Sequence, residues 1–413
     1  MSEVREGYKK TEFGEVPCYW EIKRVEDVFD NYGGTSLEKE FSETGKYKVI
    51  SIGSYGRNSR YIDQGIRVNG QGKALEKILN KDDLVMVLND KTLQGNIIGR
   101  TLLIDTDDEY VYNQRSERLV PKFGFSKYYW YFLNSDLFRN KVIGIAQGGT
   151  QIYVNFPQIK LLKILIPSLV EQQKIASILS TVDEQIDETE QLIVKTKELK
   201  KGLMQQLLTK GIGHTEFKQT ELGEIPSEWR VLNLNNIAEV IMGQSPNSNS
   251  YNELKIGLPF YQGKSEFGKR YPIPVKWCSE PTKIAEKNDI LISVRAPVGE
   301  VNICQGISCI GRGLAAIRAT KESCNLFLYY SLQLSKEALN KMSQGSTFTA
   351  INGAELKNLP LAVPTKVEQQ KIASILSTVD SQIEAYEEEK VKYEELKKGL
   401  MQKLLTGQIR VKC

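Results

Sequence analysis

Two segments of the chain carry an apolar stripe with the spacing of a long amphipathic helix. In both, apolar residues recur at alternating steps of four and three, the heptad pattern of helices that pack along a seam. The stripes consist of Ile175, Leu179, Val182, Ile186, Ile193, Leu203 and Leu207 in the first segment, and of Ile372, Leu376, Val379, Ile383, Tyr386, Tyr393, Leu400 and Leu404 in the second. Polar residues interrupt them at Thr189, Thr196, Lys200, Lys390 and Lys397. The pattern predicts two helices of about 40 residues, each roughly 60 Å long.

Helix-start and helix-stop signals flank both stripes. Ser168-x-x-Glu171 and Thr365-x-x-Glu368 fit the capping box, in which a hydroxyl and a carboxylate satisfy opposite backbone amides. A proline stands before each box, and a glycine stands where each helix would stop: Pro167, Pro364, Gly211 and Gly407. A lone helix would leave such a stripe exposed, so the simplest partner is the other helix. The alternative is that each helix packs on its own globular domain, although a domain of about 150 residues rarely covers this length.

The two segments are copies. Val170–Asp183 and Val367–Asp380 are identical in sequence, and Glu198–Gln205 repeats at Glu395–Gln402 with the same interval. Fainter repeats join the rest of each half, including TEFGEVP at residues 11–17 and TELGEIP at residues 220–226. Helical segments rich in aromatic residues and leucine are predicted at Lys127–Val142 and Asn325–Met342. Short β-branched runs divided by Gly and Pro indicate a mixed domain with a twisted sheet in each half.

Composition is that of a folded protein without a membrane segment. The chain has 413 residues, of which 40% are hydrophobic and 26% charged, with a net charge of +4. No apolar run approaches the ~18 residues that span a bilayer, and the N-terminus lacks a signal-peptide core. The six cysteines show no CxxC spacing, which favours reduced thiols in a cytoplasm. The single histidine, His214, lies in a Gly-rich turn between the halves and is predicted to be a solvated linker residue.

These features together resemble the specificity (S) subunit of type I restriction-modification systems. The residues that carry the resemblance are the duplicated EQQKIASILSTVD and LKKGLMQ helices and the TELGEIPSEW opening of the second half. The others are Gly243-Gln-Ser-Pro246, Tyr251-Asn252, and the run DILISVRAPVGEVN at residues 289–302. The first half departs from the pattern, because Gly34-Thr-Ser36 lacks the proline and LVMVLNDKTLQGN replaces LISVRAPVGEVN. Loop correspondences are therefore less certain there.

The resemblance implies an α+β fold with two mixed target-recognition domains, joined by two helices packed as an antiparallel coiled coil with internal pseudo-two-fold symmetry. The expected segments are recognition domain 1 at residues 1–166, a spacer helix at 167–211, recognition domain 2 at 212–363 and a C-terminal spacer helix at 364–413. Each domain would read one half of a bipartite, asymmetric site in double-stranded DNA. Two modification (methyltransferase) subunits would dock on the helices, and restriction subunits would join them. This chain would bind no cofactor, whereas the partners would use S-adenosylmethionine, ATP and Mg²⁺.

Residue patterns independently disfavour catalysis. A single histidine makes a Ser–His or Cys–His pair improbable. No carboxylate or amide precedes a Pro-Pro-aromatic signature, and the spacings near Gly257, Gly263 and Gly268 miss the phosphate-loop motif. Three alternatives stay open: a recognition subunit whose single partner both methylates and cleaves, a coiled-coil scaffold without DNA, and a nuclease that uses Asp105, Asp107, Asp108 and Glu109.

Candidate DNA contacts fall into two groups. Residues shared by both halves would hold phosphates, which position a protein without specifying bases, or form ordinary turns and helix ends; they are Arg60, Tyr61, Gln147 and Thr150, and Arg270, Tyr271, Gln344 and Thr347. Residues in loops that differ between halves would read base edges, with Arg and Lys suited to guanine and Asn and Gln to adenine. In the first half these are Arg57, Asn58, Lys91, Gln94, Asn96 and Gln151. In the second they are Lys264, Lys269, Arg295 and Arg312.

The faces of the helices that point away from the stripe are the same in both copies. They hold Gln172, Gln173 and Lys174 in the first helix and Gln369, Gln370 and Lys371 in the second. Two identical partners could therefore dock in equivalent ways. The alternative is that these residues only solvate the helix starts. The stripe residues expected at the helix–helix seam are Ile175, Leu179, Val182, Ile186 and Leu203, with Ile372, Leu376, Val379, Ile383 and Leu400.

Overall fold

A computed structural model describes residues 4–70, 72–92, 94–343 and 350–412, and these divide into two compact units. The first unit comprises the residues up to Thr189 together with those from Glu389 onward, and the second comprises Glu190–Glu388. The two long helices cross these boundaries, so each contributes its beginning to one unit and its end to the other. Within the described ranges, no helix is long and apolar enough to cross a membrane.

The first unit is built on a four-stranded antiparallel sheet. The strands of the whole first unit are β1 (Tyr8–Thr11), β2 (Gly14–Pro17), β3 (Glu21–Arg24), β4 (Phe29–Gly33), β5 (Tyr47–Ile50), β6 (Arg67–Val68), β7 (Leu84–Val87), β8 (Asn89–Asp90), β9 (Thr101–Leu103), β10 (Tyr110–Tyr112), β11 (Ser116–Pro121), β12 (Ile152–Tyr153) and β13 (Lys163–Ile166). Its helices are α1 (Val25–Val28), α2 (Ser126–Asn134), α3 (Asp136–Gly144), α4 (Phe156–Lys160) and the first part of α5 (Leu169–Leu207). The main sheet has the order β4-β11-β7-β9, and a second sheet has the order β10-β5-β6.

The second unit repeats the order of the main sheet. Its strands are β14 (Phe217–Thr220), β15 (Gly223–Pro226), β16 (Arg230–Asn233), β17 (Ala238–Met242), β18 (Tyr251–Asn252), β19 (Leu258–Tyr261), β20 (Lys276–Cys278), β21 (Ile284–Ala285), β22 (Ile290–Ser293), β23 (Val301–Ile303), β24 (Ser308–Ile310), β25 (Leu314–Ala319) and β26 (Pro360–Val363). Its helices are α6 (Leu234–Ile237), α7 (Asn325–Leu334), α8 (Lys336–Ser343), α9 (Gly353–Lys357) and the first part of α10 (Lys366–Leu404). Here the order β17-β25-β22-β23 matches that of the first unit, and the second sheet is β18-β20-β19-β24-β21.

Consecutive apolar residues make β7 and β22 the central strands. In β7, Leu84 and Met86 pack in one hydrophobic cluster with the aromatic side chains of α2, whereas Val85 and Val87 pack in another, against the second sheet. Successive side chains of a strand point to opposite faces, so a strand buried on both faces reads as an uninterrupted apolar run. In β22, Leu291 likewise joins a different cluster from its neighbours.

The helical segments predicted at Lys127–Val142 and Asn325–Met342 are each divided in two. In the first, Ser135 has extended backbone (ψ 150°) between α2 and α3, and its hydroxyl accepts a hydrogen bond from the amide of Phe138 at 3.4 Å. Serine favours such N-caps because its short side chain reaches the exposed amides of the next turn. In the second, the break is at Ser335 between α7 and α8. The predicted helical segments are confirmed, and each is interrupted at one serine.

The long helices begin as predicted, with one difference. The Ser168–Glu171 box is reciprocal, since the Ser168 amide donates to Glu171 Oε2 and the Glu171 amide donates to Ser168 Oγ, both at 3.3 Å. The amide of Glu368 donates to Thr365 Oγ1 at 3.4 Å. Its carboxylate, however, binds the segment that follows α5.

His214 lies in that segment and takes part in these contacts. The carboxylate of Glu368 accepts hydrogen bonds from the amide of Ile212 (3.0 Å) and from Trp229 Nε1 (3.0 Å), and it lies 2.9 Å from His214 Nε2. The prediction of a solvated linker histidine was therefore wrong. His214 packs edge-on against Trp229 and helps to fix the start of α10 within the second unit.

In each unit, the beginning of one long helix and the end of the other share a hydrophobic core. Ile175 and Leu179 pack in the same cluster as Leu404, with Leu400 at its edge. In the second unit, Ile372 and Leu376 share a cluster with Leu207 and Leu208, with Leu203 at its edge. Of the other stripe residues, Val182, Val379 and Ile383 are buried and Ile186 is half-buried. The clusters also contain α2 and α7, so the stripe packs on the recognition domain as well.

Two of the lysines that interrupt the stripes, Lys200 and Lys397, form part of a joint that occurs in both units. In the first unit, Asp183 of α5 accepts a hydrogen bond from Tyr131 Oη at 2.7 Å and forms an ion pair with Lys397 at 2.7 Å. In the second, Asp380 of α10 accepts from Tyr330 Oη at 2.7 Å and pairs with Lys200 at 2.6 Å. We call each of these sets a Tyr–Asp–Lys joint. It ties a recognition domain to both helix segments of its unit.

Candidate nucleic-acid interface

Pairing between β8 and β12 brings two candidate loops of the first unit together. Ile152 pairs with Asp90 and Tyr153 with Asn89. The turn with Gln147, Thr150 and Gln151 therefore lies beside the loop with Lys91, Gln94 and Asn96; all are exposed except Asn96, which is half-buried. Residues far apart in sequence thus form one polar surface.

Asp90 and Arg139, which sequence reasoning missed, shape the loop between β8 and β9. Asp90 accepts hydrogen bonds from the amides of Thr92 (2.9 Å) and Ile97 (2.8 Å). Burial alone would raise the pKa of Asp90, but these hydrogen bonds lower it. The buried Arg139 of α3 donates to the carbonyls of Gly95 (3.0 Å) and Asn96 (3.1 Å). Because both ends of this loop are fixed, Gln94 and Asn96 are presented from a defined backbone.

A second arginine of this site, Arg100, connects this loop to the one with Arg57 and Asn58. Its Nε donates to the carbonyl of Asn96 at 3.0 Å, and its Nη1 donates to Ser59 Oγ at 3.0 Å. Ser59 has a positive φ of 62°, and its hydroxyl donates to Asn134 Oδ1 at 2.7 Å. Arg57 and Asn58 are exposed at the tip. The only sequence signal for Arg100 was its position directly after Gly99.

The shared Arg-Tyr pair has different surroundings in the two units. Arg60 forms ion pairs with two carboxylates of α5, Asp187 and, at 3.9 Å, Asp183. Arg270 lies with its guanidinium 5.8 Å from the ring centroid of Tyr271, and no carboxylate of the described residues lies within ion-pair distance of it. Arg60 therefore fastens a loop to a helix, whereas Arg270 keeps donors for another acceptor.

Glycines bring the candidate loops of the second unit together. A Cβ atom at Gly311 would lie 2.6 Å from Gln262 Oε1, and one at Gly313 would lie 2.4 Å from the carbonyl of Gln262. The contact at Gly313 is with backbone and leaves no space for a side chain, so glycine is required there, whereas at Gly311 the Gln262 side chain would have to move. Arg312 projects between them and is exposed.

Other cations of the second unit lie near Gly313 or are held by ion pairs, one of them with α10. The amide of Val294 donates to the carbonyl of Gly313 at 3.0 Å, so the exposed Arg295 lies near Arg312. Lys264 pairs with Glu300 at 2.9 Å, and Lys269 pairs with Glu387 of α10. The structure thus brings together Arg295, Arg312 and the backbone next to Lys264. Gln344 and Thr347 lie outside the described residues.

Two clefts of opposite charge border the joint of the first unit. One has a volume of about 490 Å³, and its charged residues are Arg57, Arg100, Lys397, Lys398, Asp136 and Glu394. The other has a volume of about 470 Å³, and its charged residues are Arg60, Lys127, Asp105, Asp183, Glu184 and Asp187. The first has an excess of cations and the second an excess of carboxylates.

The docking prediction needs a correction at two positions. Gln172 and Gln369 are each only 2% exposed. Gln172 accepts from the amide of Phe125 at 2.9 Å, and Gln369 accepts from that of Cys324 at 2.8 Å, so both fasten a helix to its recognition domain. Their repetition reflects this packing, and the expectation that they face a partner was wrong. Gln173, Lys174, Gln370 and Lys371 are exposed.

The acidic run offers no cluster of free carboxylates. Asp108 pairs with Lys46, Glu109 with Lys48, and Asp107 Oδ1 accepts from the amide of Lys81. The hydrogen bond from Lys46 lowers the pKa of Asp108. Among the residues that the structure covers, no group of three or more His, Cys, Asp or Glu side chains is arranged to hold a metal ion.

Known proteins share this organisation along nearly the whole chain. A model of the type I restriction modification DNA specificity domain matches residues 17–198 and 226–393. The putative type I restriction enzyme MjaX specificity subunit of Methanocaldococcus jannaschii is 36% identical, with 98% of this chain and 97% of that protein covered. The MjaVIII specificity subunit of the same organism is 27% identical, with 99% and 98% covered.

Solved structures share the fold. The HsdS subunit from Thermoanaerobacter tengcongensis has a TM-score of 0.52 at 24% identity, with 97% of this chain and 100% of that chain covered. A chain from a study of complex assembly and conformational transition of the type I R-M system has a TM-score of 0.63 at 25% identity, with 95% and 99% covered. These neighbours support two recognition domains with helices.

Proposed function

Because the chain belongs to the type I restriction-modification DNA specificity family, we propose that each unit reads one half of a bipartite, asymmetric site in double-stranded DNA. Specificity subunits of these systems are non-catalytic, and the relatives at 36% and 27% identity are named as specificity subunits. The chain is accordingly a recognition subunit and not an enzyme.

The observation that carries the proposal is the division between repeated and unrepeated residues. The Tyr–Asp–Lys joint and the buried glutamines are the same in both units, whereas the exposed loops are not. In the first unit the loops present Arg57, Asn58, Lys91, Gln94, Asn96 and Gln151, and in the second Lys264, Lys269, Arg295 and Arg312. Asn and Gln suit adenine edges, and Arg and Lys suit guanine. We therefore expect the two half-sites to differ.

The shared Arg-Tyr pairs belong to the same proposal as backbone contacts. Arg270 has donors available for a phosphate, as does the backbone around Gln147 and Thr150. Arg60 is engaged by α5, so we propose that it positions the Arg57–Asn58 loop. Phosphate contacts of this kind orient a protein on a duplex without reading its sequence.

The helices are proposed to form an antiparallel coiled-coil spacer. Support comes from the shared cores, in which the beginning of one helix packs with the end of the other. Inserting one heptad into each helix, between Thr189 and Glu190 and between Glu388 and Glu389, leaves the contacts within each unit intact. Seven residues add roughly 10 Å at 1.5 Å per residue, or about three base pairs.

Methylation mapping in cells that carry the double insertion tests this spacer. The two half-sites should be unchanged, and the gap between them should grow by about three base pairs. Insertion into one helix alone is the matched control, because it makes one spacer helix a heptad longer than the other while both keep their ends in the shared cores, and it should abolish modification. A double insertion that leaves the gap unchanged would refute the spacer.

The partners are proposed to be two modification subunits and restriction subunits, which would carry S-adenosylmethionine, ATP and Mg²⁺. Support comes from Gln173, Lys174, Gln370 and Lys371, which are exposed in the same places on the two helices. Charge reversal at Lys174 and Lys371 should reduce co-purification of a modification subunit, and reversal at Lys392 is the control.

A chain that binds no duplex at any salt concentration would instead support a scaffold.

A further inference from the structure

We propose that the cleft lined by Arg57, Arg100, Lys397 and Lys398 in the first unit binds a phosphate group of the DNA backbone, beside the bases that this unit reads. The inference rests on the proposed function and deepens it, because it assigns a phosphate site to a recognition domain and the end of α10 together. The second unit is expected to lack this site.

Arg100 is the central observation. It is half-buried, and its side-chain hydrogen bonds go to neutral oxygens, Ser59 Oγ and the carbonyl of Asn96, both at 3.0 Å. Within the described ranges, no carboxylate lies within ion-pair distance of its guanidinium. A guanidinium has five N–H donors, and two of those of Arg100 donate to other described residues, so donors remain for an anion.

The electrostatics of the cleft also favour an anion. Burial, together with the positive charges of Arg139 and Arg57, lowers the pKa of Arg100 to about 10, although the carboxylate of Asp136 acts in the opposite direction. The side chain therefore stays protonated at neutral pH, although its charge is partly removed from water. Such a charge is costly without a counter-charge, and a phosphate would supply one.

The second cleft beside the joint, which Arg60 and Asp183 line, has the opposite balance of charge. Its carboxylates, Asp105, Glu184 and Asp187 among them, outnumber its cations. A phosphate would be repelled there, so the choice between two clefts of similar volume is made by charge. Lys397 and Lys398 place the end of α10 on the favourable side.

The second unit fills the same position differently. The carbonyl of Arg100 accepts from the amide of Val87 at 2.9 Å, and the carbonyl of Glu300 accepts from that of Ser293 at 2.8 Å, at corresponding ends of β7 and β22. Glu300 pairs with Lys264 and Lys336, both at 2.9 Å. The second unit thus has a carboxylate, already paired with two lysines, at the position where the first unit has the central cation of the proposed site.

A phosphodiester of DNA is favoured over a free phosphate because the cleft adjoins the candidate interface. Arg57 and Asn58 line the cleft and stand at the tip of an exposed loop. Arg100 is bonded to the carbonyl of Asn96, whose side chain belongs to the next loop. A duplex lying on these loops would place its backbone at the cleft.

Salt-dependent binding of the purified full chain to a random-sequence duplex tests the site. Arg57→Ala and Lys398→Ala remove exposed cations of the cleft, and Lys392→Ala removes an exposed lysine of the same helix outside it. Each lost phosphate contact should reduce the slope of log K against log salt by about 0.9. Because the cleft binds one phosphate, the double variant should also lose about 0.9, and Lys392→Ala should keep the wild-type slope.

The outcomes separate this inference from the proposed function. If the wild-type chain binds the duplex and both cleft variants keep its slope, the phosphate site is wrong and the proposed function stands. If the wild-type chain binds no duplex, both fail. Inorganic phosphate and adenosine monophosphate are titrated by calorimetry as well. Tight binding of either, with no change in duplex slope for the variants, assigns the cleft to a free anion and overturns the inference. Unchanged thermal midpoints verify that the variants are folded.

Discussion

Arg100 and Glu300 occupy the same backbone position in the two units, yet among the described residues Arg100 has no carboxylate within ion-pair distance, whereas Glu300 is a carboxylate held by two lysines. By contrast, the ion-pair distances in the Tyr–Asp–Lys joints of the two units agree within 0.1 Å, at 2.7 and 2.6 Å. The comparison separates two kinds of residue. Those that attach a recognition domain to the helices are repeated, whereas those that face outward from the same scaffold differ in charge.

The repeated part predicts equal effects at equivalent core positions. Leu179→Ala and Leu376→Ala each remove a fully buried side chain and should lower the free energy of unfolding by about 3 kcal/mol. Denaturant unfolding of the full chain measures this, with the exposed Ser177→Ala and Ser374→Ala as controls. An effect below about 1 kcal/mol at only one position would show that the two cores are not equivalent.

The joint itself should show a smaller and unequal effect. Asp183→Asn and Asp380→Asn leave a poorly exposed lysine without its partner and should each cost about 2 kcal/mol, because breaking a buried pair strands a charge. Asp183 also lies 3.9 Å from Arg60, so its substitution should cost more. Double-mutant cycles with Lys397→Met and Lys200→Met measure the pair terms. A coupling energy near zero in either cycle would show that the Asp–Lys pair of that unit does not stabilise the protein.

The outward-facing part can be tested by exchanging charges. Glu300→Arg places a cation between Lys264 and Lys336 and should destabilise the second unit by about 1 kcal/mol, since the pairs are partly exposed. Adding Lys336→Asp copies the first unit, in which Asp136 begins α3, and should restore much of the loss. Thermal unfolding measures both variants. A double variant less stable than Glu300→Arg alone would contradict the correspondence between Arg100 and Glu300.

The smallest effect is expected from pH. Hydrogen bonds from Lys197 and Lys269 lower the pKa of Glu387. A lowered carboxylate pKa contributes stability above the unfolded-state value of 4.5, and this contribution is lost as the pH falls through the folded-state pKa. Glu387→Gln should therefore cost a few tenths of a kcal/mol at pH 7, and the difference should fade below about pH 4. The exposed neighbour Glu388, changed to Gln, is the control; equal pH profiles would count against the Glu387 pairs.

Periodicity predicted the long helices and their buried stripes, because 3.6-residue geometry is local. It could not predict Ser135 as a helix break, since a tertiary turn decides whether a serine caps or continues a helix. Repetition was misleading at Gln172 and Gln369, where identical residues reflected packing rather than a partner. Arg100 and Arg139 were missed because their value depends on carbonyls that only the folded loop presents.

Methylation mapping after replacement of Thr215–Lys357 tests the central claim most directly, namely that the two units read DNA independently. The donor should be a relative that keeps a tyrosine in the position of Tyr330, so that the joint with Asp380 and Lys200 is preserved. We expect one half-site to change while the other half-site and the gap remain the same. A change in both half-sites would contradict the account.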